Sequence, residues 1–212
     1  MSNYQIDTES ARAVDQMGNR IKETGKYIGV LTRAEEVKSM KGTLGVEFSY
    51  KTDDGMTADY LTLWTKNKDG KELFGLKQLM AIMTCCRVRA ITTVRGTVEK
   101  YNTAIGLVGV MDAEVFPELT GKRVGLLLQR EEYEKADGSI GSKMSIMAPF
   151  EADTELTASE VLDKATTPEK LQVMVAGLRD KPLIASGGGA TAAQHGTASA
   201  AGFADDGDDI PF

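Results

Sequence analysis

Histidine occurs once in this chain and cysteine twice, and both shortages restrict its chemistry. The histidine, His195, lies in a stretch of Gly, Ala, Thr and Ser. A body without histidine has no Ser–His or Cys–His pair for nucleophilic catalysis. Cys85 and Cys86 are adjacent. Neighbours in sequence rarely form a disulfide, and two sulfurs without a nearby His make no zinc site. Reduced thiols in a cytoplasmic protein are expected, with no metal and no cofactor. The acidic pairs Asp53-Asp54 and Glu131-Glu132 suit a turn and the two faces of a strand better than a metal. The glycine clusters at 138–143 and 186–189 lack the spacing and the strand–helix context of a phosphate loop. A non-enzyme is the expectation. No apolar run approaches the ~20 residues that cross a bilayer. The first 26 residues are polar and charged, unlike a signal peptide.

Charge of one sign is also scarce in the body. The net charge of −6 is unevenly spread: residues 183–212 carry four Asp and no Lys or Arg. Residues 26–150 hold 18 Lys plus Arg against 16 Asp plus Glu. A mildly basic body with a detached acidic end suits a nucleic-acid binder, although a dedicated basic domain would show a larger excess.

Alternation of apolar and polar residues organises the middle of the chain. Residues 1–24 read as a polar leader. Residues 26–38 alternate as a strand, with Ile28, Val30, Thr32 and Ala34 set against Tyr27, Gly29, Leu31 and Arg33. Residues 43–52 alternate again, Asp53-Asp54-Gly55 is a hairpin signal, and residues 56–65 follow as a third strand. In residues 71–86, Leu73, Leu76, Leu79, Met80 and Met83 recur at helical spacing. Residues 87–116 carry no clear period and read as an insertion. Residues 123–133 and 140–150 are two further strands around the turn at 136–139. Thr157 and Thr167 are N-cap candidates for one or two short helices, with Pro168 at a first helical position.

Three strands, a helix, and two strands after an insertion are the order of an OB fold. That is a five-stranded, closed or partly open β-barrel with its helix between strands 3 and 4. The expected class is mostly β with a few helices, the domain spanning 25–182 with C-terminal helices. An SH3-like barrel is the rival, which a helix of this length fits poorly. Residues 183–204 are too rich in Gly, Ala, Ser and Thr to bury a core. They read as a flexible linker in a disordered C-terminal tail.

Aromatic residues are only 6% of the chain, with a single tryptophan, so their positions are informative. OB barrels often bind single strands by stacking bases on aromatic faces and pairing phosphates with cations. Tyr60 and Trp64 lie four apart on one strand and share a face, opposite Leu61 and Leu63. They are the best stacking pair; the plainer alternative packs Trp64 under the following helix. Tyr50 is expected at the barrel rim, and Tyr101 and Tyr133 are weaker candidates. Lys38, Lys41, Lys51, Lys66, Lys68, Arg87 and Arg89 are the candidate phosphate contacts, each of which taken alone would pass for a solvated charge.

The chain ends Asp205-Asp206-Gly207-Asp208-Asp209-Ile210-Pro211-Phe212. Solubility explains the acids but not the apolar end. Phe212 suits a pocket that takes a ring and pairs a carboxylate with Arg or Lys. This tip closely resembles the C-terminus of bacterial single-stranded DNA-binding proteins. The body looks like a phage-type relative of that family, since the bacterial barrel sequence is not recognisable in residues 26–150. The resemblance implies single-stranded DNA binding in replication, recombination and repair. It also implies recruitment of a polymerase, primase, helicase or nuclease through Asp205, Asp206, Asp208, Asp209, Ile210, Pro211 and Phe212. A homo-oligomer in the cytoplasm of an infected bacterial host is compatible with it. Two rival functions differ in class: an adaptor or decoy that occupies such partners without binding DNA, and a strand-annealing recombination protein.

Overall fold

The computed structural model describes residues 19–102, 107–135 and 137–183. The acidic tip, nearly all of the linker and most of the leader lie outside the described residues. Within them the protein is mostly β, with three helices. The strands are β1 (Gly25–Lys38), β2 (Leu44–Thr52), β3 (Thr57–Lys66), β4 (Val94–Asn102), β5 (Leu107–Val115), β6 (Arg123–Glu134) and β7 (Ile140–Phe150). The helices are α1 (Phe74–Cys85), α2 (Ala158–Leu162) and α3 (Lys170–Gly177).

All seven strands belong to one antiparallel sheet built around β1. One edge of β1 pairs with β2 over most of its length. The other edge is shared: Gly25–Val30 pair with β6, and Glu35 pairs with Val115 of β5. A bulge between Leu31 and Arg33 makes this division possible, because one extra residue bends the strand and raises its twist. The bulge also corrects the simple alternation expected for this segment. Leu31 and Ala34 are both fully buried, and Thr32 between them is exposed.

The sheet is not closed. Among the described residues no ladder joins β3 to β7, and α1 spans the gap between them. A Cβ on Gly75 would sit 2.2 Å from the Trp64 carbonyl oxygen, so only glycine lets the first turn of α1 lie on the backbone of β3. One turn later, Gln78 Nε2 donates to the Ile146 carbonyl on β7 at 2.6 Å. The main core lies between α1 and the inner face of the sheet. Leu31, Phe48, Leu61, Ile82, Leu119, Leu126 and their neighbours are almost wholly excluded from water. A second cluster of Leu127, Phe150, Leu171 and Leu178 holds α3 on the opposite face of β6–β7.

Two of the seven strands come from the segment whose period was unreadable: β4 and β5 form a hairpin, paired from Val94↔Val115 to Asn102↔Leu107. Thr157 is the N-cap of α2, in a capping box with Glu160. The cap of α3 is Glu169 rather than Thr167, so Pro168 precedes the helix.

Candidate nucleic-acid interface

The outer face of β1–β2–β3, turned away from the core, carries Tyr60 and Trp64, and Lys38, Lys41, Lys66 and Lys68 gather at one end of these strands. Its rungs follow from the register. At one end Lys38 and Lys66 both stand opposite Leu44, one from each side. They are therefore about 10 Å apart across two strand spacings. On the next rung Val37 and Trp64 flank Gly45. A Cβ on Gly45 would lie 2.8 Å from Trp64 Cε3, so the indole occupies the space that glycine leaves. Trp64 is half-buried against this neighbour and is no member of the core under α1.

Beyond Trp64 the rung of Glu35, Glu47 and Thr62 follows, and then Arg33 opposite Ser49. These polar residues form a buried, charge-balanced cluster. Arg33 NH1 lies 3.2 Å from Glu35 Oε1, and Arg33 NH2 lies 2.9 Å from Glu47 Oε1. Lys100 Nζ reaches over from β4 to Glu35 Oε2 at 2.9 Å. Thr62 Oγ1 donates to Glu47 Oε2 at 3.1 Å. Burial raises the pKa of Glu47, while the Arg33 guanidinium and the Thr62 hydrogen bond work against the rise. Arg33 also stands 5.6 Å from the centroid of the Tyr60 ring, within cation–π range.

Tyr60 sits where β3 is irregular. The register slips by one residue between Phe48↔Leu61 and Tyr50↔Ala58, so that Asp59 and Tyr60, both exposed, stand against the single residue Ser49. Tyr60 has φ 59°, a conformation that costs a bulky side chain energy. The β4–β5 hairpin arches over this region, tied down by Lys100 and by the buried Val98. Between the hairpin and the sheet runs a groove. One half, about 600 Å³, is lined by residues that include Arg33, Ser49, Asp59, Thr97 and Glu99. The other, about 510 Å³, is lined by Arg20, Arg33, Asp59, Tyr60, Glu99, Lys100, Tyr101 and Val108.

The lysine end is differently built. A Cβ on Gly42 would sit 3.3 Å from Lys68 Cβ and 4.0 Å from Lys38 Cε, so the β1–β2 turn touches the loop that follows β3. Lys38, Lys41, Lys66, Lys68 and Lys71 thus gather at one edge, all exposed and none in an ion pair among the described residues. Two carboxylates, Asp69 and Glu72, share the loop with them.

Other expected contacts do not join this surface. Tyr50 is corrected outright: it is 1% exposed, and its hydroxyl donates to the Val124 carbonyl at 2.9 Å inside the core. Burial drives its pKa far up, and no base can reach the ring. Lys51 is exposed but lies seven residues along β2 from Leu44, at the opposite end of the strand from Lys38. Arg87 is held at the foot of α1 by Glu151, 2.7 Å away. Arg89 is exposed in the segment before β4. Conversely, Arg20, Arg33 and Lys100 line the groove without having been singled out. Tyr101, a weaker candidate by sequence, shares that groove with Tyr60. Only pairing across the hairpin brings Lys100 and Tyr101 here, and no local pattern announces it.

No protein-family model matches this chain, and no curated protein matches it either.

Proposed function

We propose that the chain binds single-stranded DNA without strong sequence preference and that its acidic tip recruits proteins of replication, recombination or repair. In this reading the body is an OB-type barrel. Strands β1, β2, β3, β7 and β6 make its wall, α1 fills the place between β3 and β7, and β4–β5 is an inserted hairpin. The protein is then a phage-type relative of bacterial single-stranded DNA-binding proteins.

The observation that carries the proposal is the adjacency of Trp64 to the unpaired lysines. An aromatic ring outside the core, near the strand ends where Lys38 and Lys66 emerge, offers a base a stacking face and its phosphates a cationic edge. Tyr60 extends the aromatic track along β3. The lysines neutralise phosphates and release counterions, so affinity falls as salt rises.

The test uses the intact chain. A fluorescein-labelled oligo-dT and its duplex are titrated at two salt concentrations while tryptophan emission is followed. Trp64 is the only tryptophan, so its quenching reports one place. Salt-sensitive, single-strand-selective binding with quenching supports the proposal. Absence of binding, with residues 205–212 also removed, would leave the tip as the working part and favour an adaptor.

A further inference from the structure

We propose that the groove between the β4–β5 hairpin and the bulge of β3 is a subsite for one nucleobase, selective for bases that carry an exocyclic amino group. This rests on the single-strand reading above and narrows it at one position.

Two exposed rings on separate elements line one groove: Tyr60 on β3 and Tyr101 on β4. Bulges and left-handed residues re-aim side chains, and they persist where the surrounding structure enforces them. The bulge at Tyr60 turns its ring toward Arg33 and the hairpin rather than along the plain pleat. The groove is open enough for a flat heterocycle; its half beneath Tyr101 measures about 510 Å³.

Its electrostatics suit a base better than a phosphate. Arg20, Arg33 and Lys100 line it together with Asp59 and Glu99. Arg20 lies 3.5 Å from Asp59, and Arg33 and Lys100 are spent on Glu35 and Glu47. A phosphate track shows a surplus of free cations, as the lysine edge does. Glu99 lines both halves of the groove, and its carboxylate makes no hydrogen bond or ion pair among the described residues. A carboxylate only accepts. Cytosine and adenine present an amino donor that it can take, whereas thymine presents carbonyl oxygens on that side. Arg33 is 8% exposed, lines both halves as well, and keeps its Nε without a hydrogen-bond partner. That Nε is itself out of contact with solvent, so the acceptor on which the subsite rests is Glu99.

The test compares oligo-dC with oligo-dT of equal length, at one salt concentration and near neutral pH, by competition against the labelled strand. The intact protein is expected to favour oligo-dC about five- to tenfold. Glu99→Gln should remove the difference, since Gln fills the same space and its amide can donate to a thymine carbonyl as well as accept from an amino group. Tyr101→Ala should weaken oligo-dC more than oligo-dT. Equal affinities for the two strands, or a preference that survives Glu99→Gln, would overturn the subsite. If Glu99→Gln and Tyr101→Ala change nothing while Trp64→Ala lowers affinity, the subsite falls and the single-strand reading stands. If no oligonucleotide binds, both fall.

Discussion

Tyr60 combines an unfavourable backbone with an exposed ring, and the two can be separated by substitution. At φ 59° a glycine is comfortable where tyrosine is not. Tyr60→Gly relieves roughly 1 kcal/mol of strain, offset by the greater freedom of glycine in the unfolded chain. The melting temperature should therefore shift little. DNA affinity should fall by about 1–3 kcal/mol, the usual worth of a base–aromatic stack. A large loss of stability with unchanged affinity would show that the ring serves packing instead. The sequence pattern placed Tyr60 and Trp64 outward, because Leu61 and Leu63 have to face inward. The same pattern put Tyr50 on the inner face with Phe48, and the expectation of a rim position underweighted it. Nothing local could announce the Val124 carbonyl that accepts its hydroxyl, 74 residues away. Buried side chains also set pH behaviour. Glu160 accepts from the backbone amides of Lys170, Thr157 and Glu169, which lowers its pKa to about 2. A depressed carboxylate pKa adds stability above its unfolded value and loses it as pH falls through the folded one. Melting temperatures should thus drop between about pH 4.5 and pH 2, and Glu160→Gln should remove part of that slope.

The β4–β5 hairpin was illegible from sequence for a physical reason. It rests on the polar outer face of the sheet, so it needs no continuous apolar stripe. Among its described residues Val98 is the one deeply buried side chain, and the Lys100–Glu35 ion pair adds to the anchoring. Periodicity finds elements that bury an apolar face, as it found β2, β3, β6, β7 and α1. It is blind to elements that are held by charge. Glu35 is the anchor: it is 1% exposed and shared by Arg33 and Lys100. Removing one partner of a buried network leaves uncompensated charge and costs about 3–5 kcal/mol. Glu35→Ala should lower stability by that order in a denaturant titration. Limited proteolysis should then cut first within residues 94–115, because the hairpin has lost its tie. Cleavage elsewhere, with the hairpin still protected, would mean that Val98 and the β1 pairing suffice. At the end of α1, by contrast, the thiols of Cys85 and its C-cap Cys86 are buried and pushed up to about 12. They should stay silent toward a thiol reagent at mildly alkaline pH until the protein unfolds.

Across the whole molecule, net charge predicts little and its placement predicts much. Ten of the described Lys and Arg side chains are committed to a carboxylate, among them Arg123 to Asp53 and Asp153, Arg130 to Asp180, Lys181 to Glu131 and Arg87 to Glu151. Of those without such a partner, Lys38, Lys41, Lys66, Lys68 and Lys71 gather where the β1–β2 turn meets the loop after β3. Sequence listed these lysines but could not separate them from Lys51 or Arg87, because only the register shows which ends of the strands coincide. That segregation gives the single-strand proposal a quantitative consequence. Each phosphate contact contributes about −0.7 to the slope of log K against log salt for a single strand. Lys66→Ala with Lys68→Ala should therefore flatten the slope by roughly 1.4 if both lysines meet phosphates. Lys51→Ala with Arg87→Ala should leave it unchanged, as the first lies at the far end of β2 and the second is paired. All four side chains are exposed; because Arg87→Ala also removes the partner of Glu151, the fold of both double variants is checked by circular dichroism. An equal flattening by both pairs would mean that DNA sees the body as a diffuse charge. A flattening confined to Lys66 and Lys68 fixes the path of the strand along the lysine edge and past Trp64.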